Sequence, residues 1–402
     1  MKNSKYDVAN AINIRKVITH YTGVDVSTTT GNINCPFHTD KSPSFRIYDN
    51  TNTYHCFSCK SSGTPINFVS EHLGITVDGA ADEIVTTFNL SYTKPKVNPE
   101  YEQYVRVFNY MAGFYNVLSN HKEAVGLNFW NDRGLQPLVK EMKLGYSLKT
   151  YIAKDNTVMT LRDILLANFP DITPHILDSY GLYDKYGNCN MAGRFVFPIN
   201  DAYGNTIAFS GRSLDSGVPK YINTPETQFF KKRNVLYNYD KAKRYSLIYV
   251  VEGYTDALSL IINGIPNVVA AMGTSFSDEH ITMLKDKQIV LAFDNDMPGQ
   301  CKMVDLIEAH PHVAFKVYQL KGHDDFNTKH MAGEEIKINP DKETVYGPEF
   351  LIRFLKEELD LGFLYEREEL FNRVNAVAKK HSPVARDYFA TILRRILKGR
   401  RV

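Results

Sequence analysis

The spacing of apolar and polar positions changes several times along the chain. Residues 1–90 open on a helical pattern and then become rich in Thr, Asn, Ser and Gly, with short β-type runs such as SFRIY and TYHCF. Residues 91–100, SYTKPKVNPE, carry two prolines and no apolar period, and read as a linker. From 101 to 145 large apolar residues recur at helical spacing (Tyr104, Phe108, Met111, Tyr115, Leu118), which predicts a helix whose aromatics face a core. Between 190 and 245 the pattern shortens to RFVFPI, TIAFSGR and VLYNY, strands separated by Gly, Asn and Pro turns. A regular alternation follows: strand LIYVVEG, helix TDALSLIINGI, strand NVVAAMG, helix SDEHITMLKD, strand QIVLAFDND, helix PGQCKMVDLIEAH and strand VAFKVYQL. Continuous apolar strands separated by helices predict a parallel sheet covered on both faces. From 345 onward the sequence is helical and ends in the basic run RRILKGRR.

Composition narrows the class. The chain has 402 residues, 43% hydrophobic and 23% charged, enough apolar mass for two or three globular domains. That excludes a disordered chain, a collagen and a disulfide-stapled miniprotein. A net charge of +2 says nothing about partners, so only local clusters inform. Five cysteines are too few, and of the wrong parity, for a secreted disulfide framework; Cys189 and Cys301 read as isolated free thiols. The N-terminus lacks the apolar core of a signal peptide and no run of 18 apolar residues occurs, so a cytoplasmic protein without a membrane span is expected. There is no GxxxxGK[ST] phosphate loop, hence no sign of an ATP-driven motor.

The sharpest local signal is Cys35-x2-His38 followed, after a gap of 17 residues, by Cys56-x2-Cys59. Each pair can turn around one ion, and a hairpin that returns the second pair completes a tetrahedral Cys3His site. Thiolate and imidazole donors favour Zn2+, and four protein ligands leave no open position, so one structural zinc per chain is expected. His55, beside Cys56, is a rival ligand that the spacing disfavours. Around the ligands lie Lys41, Phe45, Arg46, Tyr48, Tyr54, His55, Phe57 and Lys60. Interleaved aromatic and basic residues suit base stacking and phosphate pairing; packing of a small metal-held fold is the competing reading.

A second constellation is acidic. One strand ends in Glu252-Gly253, with Asp256 at the next helix start, and another ends in Asp294-Asn295-Asp296. Ligands of open α/β sheets bind at the carboxyl ends of the strands. Carboxylates gathered there repel unless cations neutralise them, and Mg2+ or Mn2+ is the natural occupant. Capping of helix N-termini is the alternative, strongest for Asp256. The segment KGHDDFNTK reaches the same edge, where Asp324 or Asp325 adds to the site. Residues 220–244 hold seven Lys/Arg against Glu226 and Asp240, preceded by Arg194 and Arg212. A cationic wall beside an acidic metal site suits a triphosphate and a nucleic-acid strand. Lys241, Lys243 and Arg244 are the members that best fit a merely solvated face.

These blocks, in order, resemble the bacterial DnaG-type DNA primases. CPFHTDKSPSF…YHCFSC resembles the family's zinc motif, and NDRGL (131–135) and GRFVFPINDAYGNTIAFSGR (193–212) its next two blocks. PKYINTPET and the following FKK resemble its basic signature, VVEG, FDND and GHDDFN its TOPRIM motifs, and SPVARDYFATIL its closing bundle. The resemblance implies a multidomain α+β protein. Its expected parts are a zinc ribbon over 1–90, a linker over 91–100, the N-terminal subdomain of an RNA polymerase domain over 101–243, an α/β TOPRIM subdomain over 244–340 and a helical bundle over 341–402. It implies short RNA primers made on single-stranded DNA from NTPs by two-metal nucleotidyl transfer. Asp294 and Asp296 are then the main metal ligands, Asp325 or Asp324 an outer contributor, and Glu252 a ligand or base. Arg194, Arg212, Lys220, Tyr221, Lys231 and Lys232 become candidates for template and triphosphate contacts. A replicative helicase is an expected partner. Cellular members continue into a helicase-binding domain for which 402 residues leave no room, which points to a phage or mobile-element primase. The chain departs from the family's CFGCG at Ser58 and Lys60, and from its Asp-Pro-Asp at Asp324-Asp325-Phe326-Asn327. Two other classes fit the same residues: a TOPRIM nuclease or topoisomerase-like enzyme, and a non-catalytic single-strand-binding replication factor.

Overall fold

The computed structural model describes residues 4–92, 98–119, 125–152, 155–273 and 276–397. Part of the expected linker, residues 93–97, and the last five residues of the basic C-terminus lie outside them. The helix Pro99–Ser119 begins inside the stretch read as linker, because Pro99 suits a first helical position. The chain forms two compact units: Met1–Asn98 with Lys243–Ser246, and Pro99–Ala242 with Leu247–Val402.

In the first unit, strands β1 (Phe45–Tyr48), β2 (Thr53–Cys56) and β3 (Ser62–Gly63) form an antiparallel sheet. Side chains alternate across it, so Phe45, Tyr54 and Cys56 point inward. Phe45 stacks on Tyr54 at 5.1 Å, and Phe68 of the helix Pro65–Leu73 meets Tyr54 edge-on at 5.6 Å. Ile14, Val17 and Ile18 of the helix Ile14–Thr22 close this core. Phe45 and Tyr54, read above as possible base stackers, are therefore packing residues. Phe57 remains half exposed on the other side, T-shaped to His55 at 4.9 Å. The segment Lys243–Ser246 belongs to this unit: Arg244 pairs with Glu83 at 2.9 Å and Lys243 with Asp82 at 3.8 Å.

The second unit holds two larger sheets. Strands β4 (Gly145–Ser147), β7 (Arg194–Asn200), β8 (Thr206–Arg212) and β9 (Tyr221–Asn223) form an antiparallel sheet in that order; β5 (Tyr151–Ile152) and β6 (Val158–Met159) pair as a separate hairpin. The helix Pro99–Ser119 buries Tyr104, Phe108, Met111 and Tyr115 against this sheet; Phe108 stacks on Phe209 of β8 at 5.4 Å. Strands β10 (Leu247–Val251), β11 (Val268–Ala270), β12 (Gln288–Leu291), β13 (Lys316–Tyr318) and β14 (Thr344–Tyr346) form the other sheet, in the order β11-β10-β12-β13-β14. The first four are parallel and β14 is antiparallel. Nearly every residue of the parallel strands is buried, as the unbroken apolar runs require of a sheet covered twice. The chain closes with helices Gly347–Glu358, Leu364–Ala378 and Pro383–Leu397, whose Leu351, Leu355, Leu370, Val374 and Phe389 pack inward.

Candidate metal centre and acidic site

The β1–β2 hairpin returns Cys56 and Cys59 to Cys35 and His38, and the four ligand atoms lie within 4.8 Å of one another. Among the described residues no other group of three or more metal-ligating side chains is drawn so tight. Cys35 Sγ and Cys59 Sγ are 3.9 Å apart, close to the tetrahedral edge of about 3.8 Å set by Zn–S bonds of roughly 2.3 Å. Neither ring nitrogen of His38 makes a hydrogen bond; Nε2 lies 2.7 Å from Asp40 Oδ1 but outside hydrogen-bond geometry. Asp40 is itself fixed by the Cys35 N–H at 2.8 Å and the Ser44 hydroxyl at 2.8 Å. Burial, and then the neighbouring Cys56 and Cys59 sulfurs, push the Cys35 thiol up to about 12, so a cation is needed to hold that thiol ionised. Zinc fits this donor set. His55 is not a member.

The acidic residues follow the carboxyl ends of three neighbouring parallel strands. Glu252 is one residue past β10, Asp294 three past β12, and Asp324-Asp325 lie beyond β13. The pairing of β10 with β12 continues through the Ala292 N–H to the Val250 carbonyl (2.9 Å), and the Asn295 N–H bonds the Asp324 carbonyl (2.8 Å). Asp296 and Asp325 also cap helices: Asp296 Oδ1 accepts from the Gly299 N–H at 2.7 Å and Asp325 Oδ1 from the Thr328 N–H at 2.6 Å. The capping alternative is thus realised in residues whose carboxylates keep further acceptor capacity beyond the cap. A Cβ on Gly299 would run into the Asp294 carbonyl, so only glycine permits this turn. A Cβ on Gly253 would come within 2.6 Å of Asp256 Oδ2.

Asp256 does not cap its own helix. It is buried and accepts from the Asn327 N–H at 3.1 Å. Burial, then the charges of Asp294 and Asp325, raise its carboxyl to about 8. Burial, then Glu252, Asp325 and Asp296, raise Asp294 to about 7. Glu252 Oε1 is buried without a partner, while Oε2 is held by Lys302. Crowded carboxylates with an unpartnered buried oxygen fit hard divalent cations. The set is wider than the zinc cluster and does not form one tight cage.

The cationic candidates separate. Arg212 donates to Tyr221 Oη at 3.1 Å and lies over the Phe129 and Tyr221 rings, with its Nε buried and unpartnered. Tyr221 in turn stacks near Tyr254, at the start of the helix that follows Glu252. Arg194 is buried, and its guanidinium bonds the carbonyls of Gly211 (3.2 Å) and Pro219 (2.9 Å), so it braces the β7–β8 edge. Lys220 is exposed on the loop before β9. Lys231 pairs with Glu226 at 3.6 Å and lines a cavity of about 230 Å³ that contains none of the acidic residues. The Lys232 carbonyl accepts from buried His280. Lys241 pairs with Glu141 at 2.9 Å.

Three residues not singled out from sequence complete the site. Arg133 donates to Asn327 Oδ1 at 2.6 Å and lies over the same Phe129 ring as Arg212. Burial, then Arg212, lower its pKa, and the nearby Asp325 and Asp256 offset this only in part, so two guanidiniums crowd this corner. Asn327 joins Arg133 to Asp256, and Lys302 holds Glu252. The NDRGL and GHDDFN blocks were signals for Arg133 and Asn327; nothing in the sequence pattern marked Lys302.

A zinc ribbon followed by a primase-type core with a Toprim sheet defines the class of protein. Family models match in the same order: the CHC2 zinc finger over residues 1–100, the N-terminal domain of the DNA primase catalytic core over 114–243, and a Toprim-like domain over 249–330. DNA primase of Thermotoga maritima is 32% identical across 73% of this chain and 52% of its own length. DNA primase of Lactococcus lactis is 30% identical across 97% of this chain and 63% of its own. The chain thus spans between half and two thirds of the length of these relatives. The Aquifex aeolicus primase structure, comprising zinc-binding and RNA polymerase domains, superposes with a TM-score of 0.60 at 26% identity, covering 98% of this chain and 97% of that one. A DNA primase domain from Pseudomonas aeruginosa superposes at 0.59 with 25% identity, covering 73% and 96%. The chain belongs to the DnaG-type primase family.

Proposed function

We propose that the protein is a primase that joins ribonucleoside triphosphates into short RNA primers on a single-stranded DNA template. The observation that carries this reading is the gathering of Glu252, Asp294, Asp296 and Asp325 beyond three adjacent strand ends, with burial and then mutual repulsion holding Asp294 up near 7. Asp294 and Asp296 serve as the main Mg2+ or Mn2+ ligands, Asp325 or Asp324 as an outer one, and Glu252 contributes its free oxygen. Bound there, divalent cations supply neutralisation of the attacking and leaving oxygens. The chain's own cations do the rest. Arg133 and Arg212, stacked on Phe129, present two planar forks suited to a triphosphate. Lys220 and Tyr221 meet the template beside them, and Lys231 and Lys232 contribute charge farther along the same basic segment. Asp256, buried beside this set, accepts from the Asn327 N–H and so keeps the third acidic loop in register. The zinc unit holds template through its outward Phe57, His55 and Arg46 face.

The test is incubation with NTPs, Mg2+ or Mn2+ and a panel of single-stranded oligonucleotides, followed by sizing of any RNA. Asp294→Ala is expected to abolish synthesis while zinc content stays stoichiometric. Full activity in that variant overturns the metal assignment. Degradation of labelled DNA without NTPs favours a Toprim nuclease instead.

A further inference from the structure

Lys302 lies on the helix Met297–Ala309, whose N-terminus is capped by Asp296, and its ammonium is paired with Glu252 Oε2. Glu252 Oε1 has no partner and is buried. One carboxylate therefore divides its two oxygens: one is neutralised by the chain, the other is free for a cation. The Lys302 side chain is 53% exposed and that of Glu252 21% exposed, so the ammonium sits on the solvent side of the pair and can leave without unpacking the core. Its charge also offsets part of the repulsion that the carboxylates exert on Asp294. A lysine is a compact point charge on a flexible stem, which suits a contact that must be exchanged.

We propose that Lys302 is a resident counter-charge of the acidic centre, competing with the first divalent cation for Glu252 and so setting the metal concentration at which the centre fills. This rests on the reading of Glu252, Asp294 and Asp296 as metal ligands. In the ion-free protein the lysine limits repulsion among the carboxylates; on loading it swings away, and its cost appears as weakened metal affinity.

The test uses the full chain with zinc in place and counts free Mn2+ by electron paramagnetic resonance during titration. Four proteins are compared: wild type, Lys302→Met, Lys302→Arg and Asp294→Asn. Lys302→Met is expected to bind Mn2+ about three- to tenfold tighter, in keeping with one partly exposed ion pair removed. Lys302→Arg is expected to stay near wild type, and the gap should shrink as salt is raised. Mn2+ affinity of Lys302→Met equal to or below wild type, with unchanged circular dichroism, overturns the proposal. Lys302→Gln repeats the measurement if the Met variant misfolds. Wild-type binding no stronger than that of Asp294→Asn removes the metal reading itself, and this proposal with it; the two failures are thus distinguishable.

Discussion

Asp296 does two jobs with one carboxylate. It caps the helix Met297–Ala309 through the Gly299 N–H, and it extends the acidic set past β12. The two roles separate by substitution. Asn is as good an N-cap as Asp, whereas loss of the cap to Ala costs about 1 kcal/mol. Asp296→Asn should therefore melt close to wild type yet lose primer synthesis by at least about a hundredfold, since metal ligation contributes several kcal/mol. Asp296→Ala should lose both stability and synthesis. Calorimetry beside the primer assay checks this, and an active Asn variant would show that Asp296 is only a cap. At this scale the sequence was legible where chemistry dictates spacing. Cys35, His38, Cys56 and Cys59 announce themselves because two ligands per turn must meet one ion. NDRGL pointed to Arg133 but not to its role, which arises from a ring it shares with Arg212, 79 positions later, and from Asn327. Phe45 and Tyr54 were ambiguous because an aromatic on a short strand has the same sequence signature whether it faces a core or a base.

The strands and helices of the Toprim sheet were readable from their unbroken apolar runs, and the strand-end placement of the acids followed from them. The basic segment was not, because distant side chains hold its backbone, His280 above all. His280, fully buried on the helix Asp278–Met283, receives the Ser277 N–H on Nδ1 at 3.1 Å. The ring must then carry its proton on Nε2, which faces the carbonyls of Lys232 and Val235 at 3.1 Å each. A second proton would set Nδ1–H against the Ser277 N–H, and burial already lowers the pKa from 6.5. A histidine depressed in the folded state binds fewer protons there than when unfolded. Its stability contribution is complete above pH 6.5 and is lost as pH falls below it. Melting temperature should drop on going from pH 7 to 5, and His280→Gln should flatten that part of the curve from a lower starting value. An unchanged slope in the Gln variant would place the acid sensitivity elsewhere.

The chain's two compact units differ in what holds them. The second has a large core running from the helix Pro99–Ser119 through both its larger sheets, with Trp130, Phe195, Phe197 and Phe209 buried in it. The first has a small core around Phe45, Tyr54 and Phe68, strands of four residues or fewer, and a Cys3His cluster at its edge. A small unit of this kind leans on its metal, since structural zinc contributes roughly 10 kcal/mol of apparent folding free energy. Stripping zinc, or replacing Cys35 with Ser, should unfold residues of the first unit and leave the second intact. Limited proteolysis is then expected to digest the region before Pro99 and spare a fragment beginning near it, whose calorimetric transition keeps its wild-type temperature. On the proposed function, primer synthesis should then fall for want of a template hold, while binding of Mn2+ at the acidic centre persists. Loss of both units in one cooperative step on zinc removal would contradict this, because it would make the stability of the second unit depend on the first.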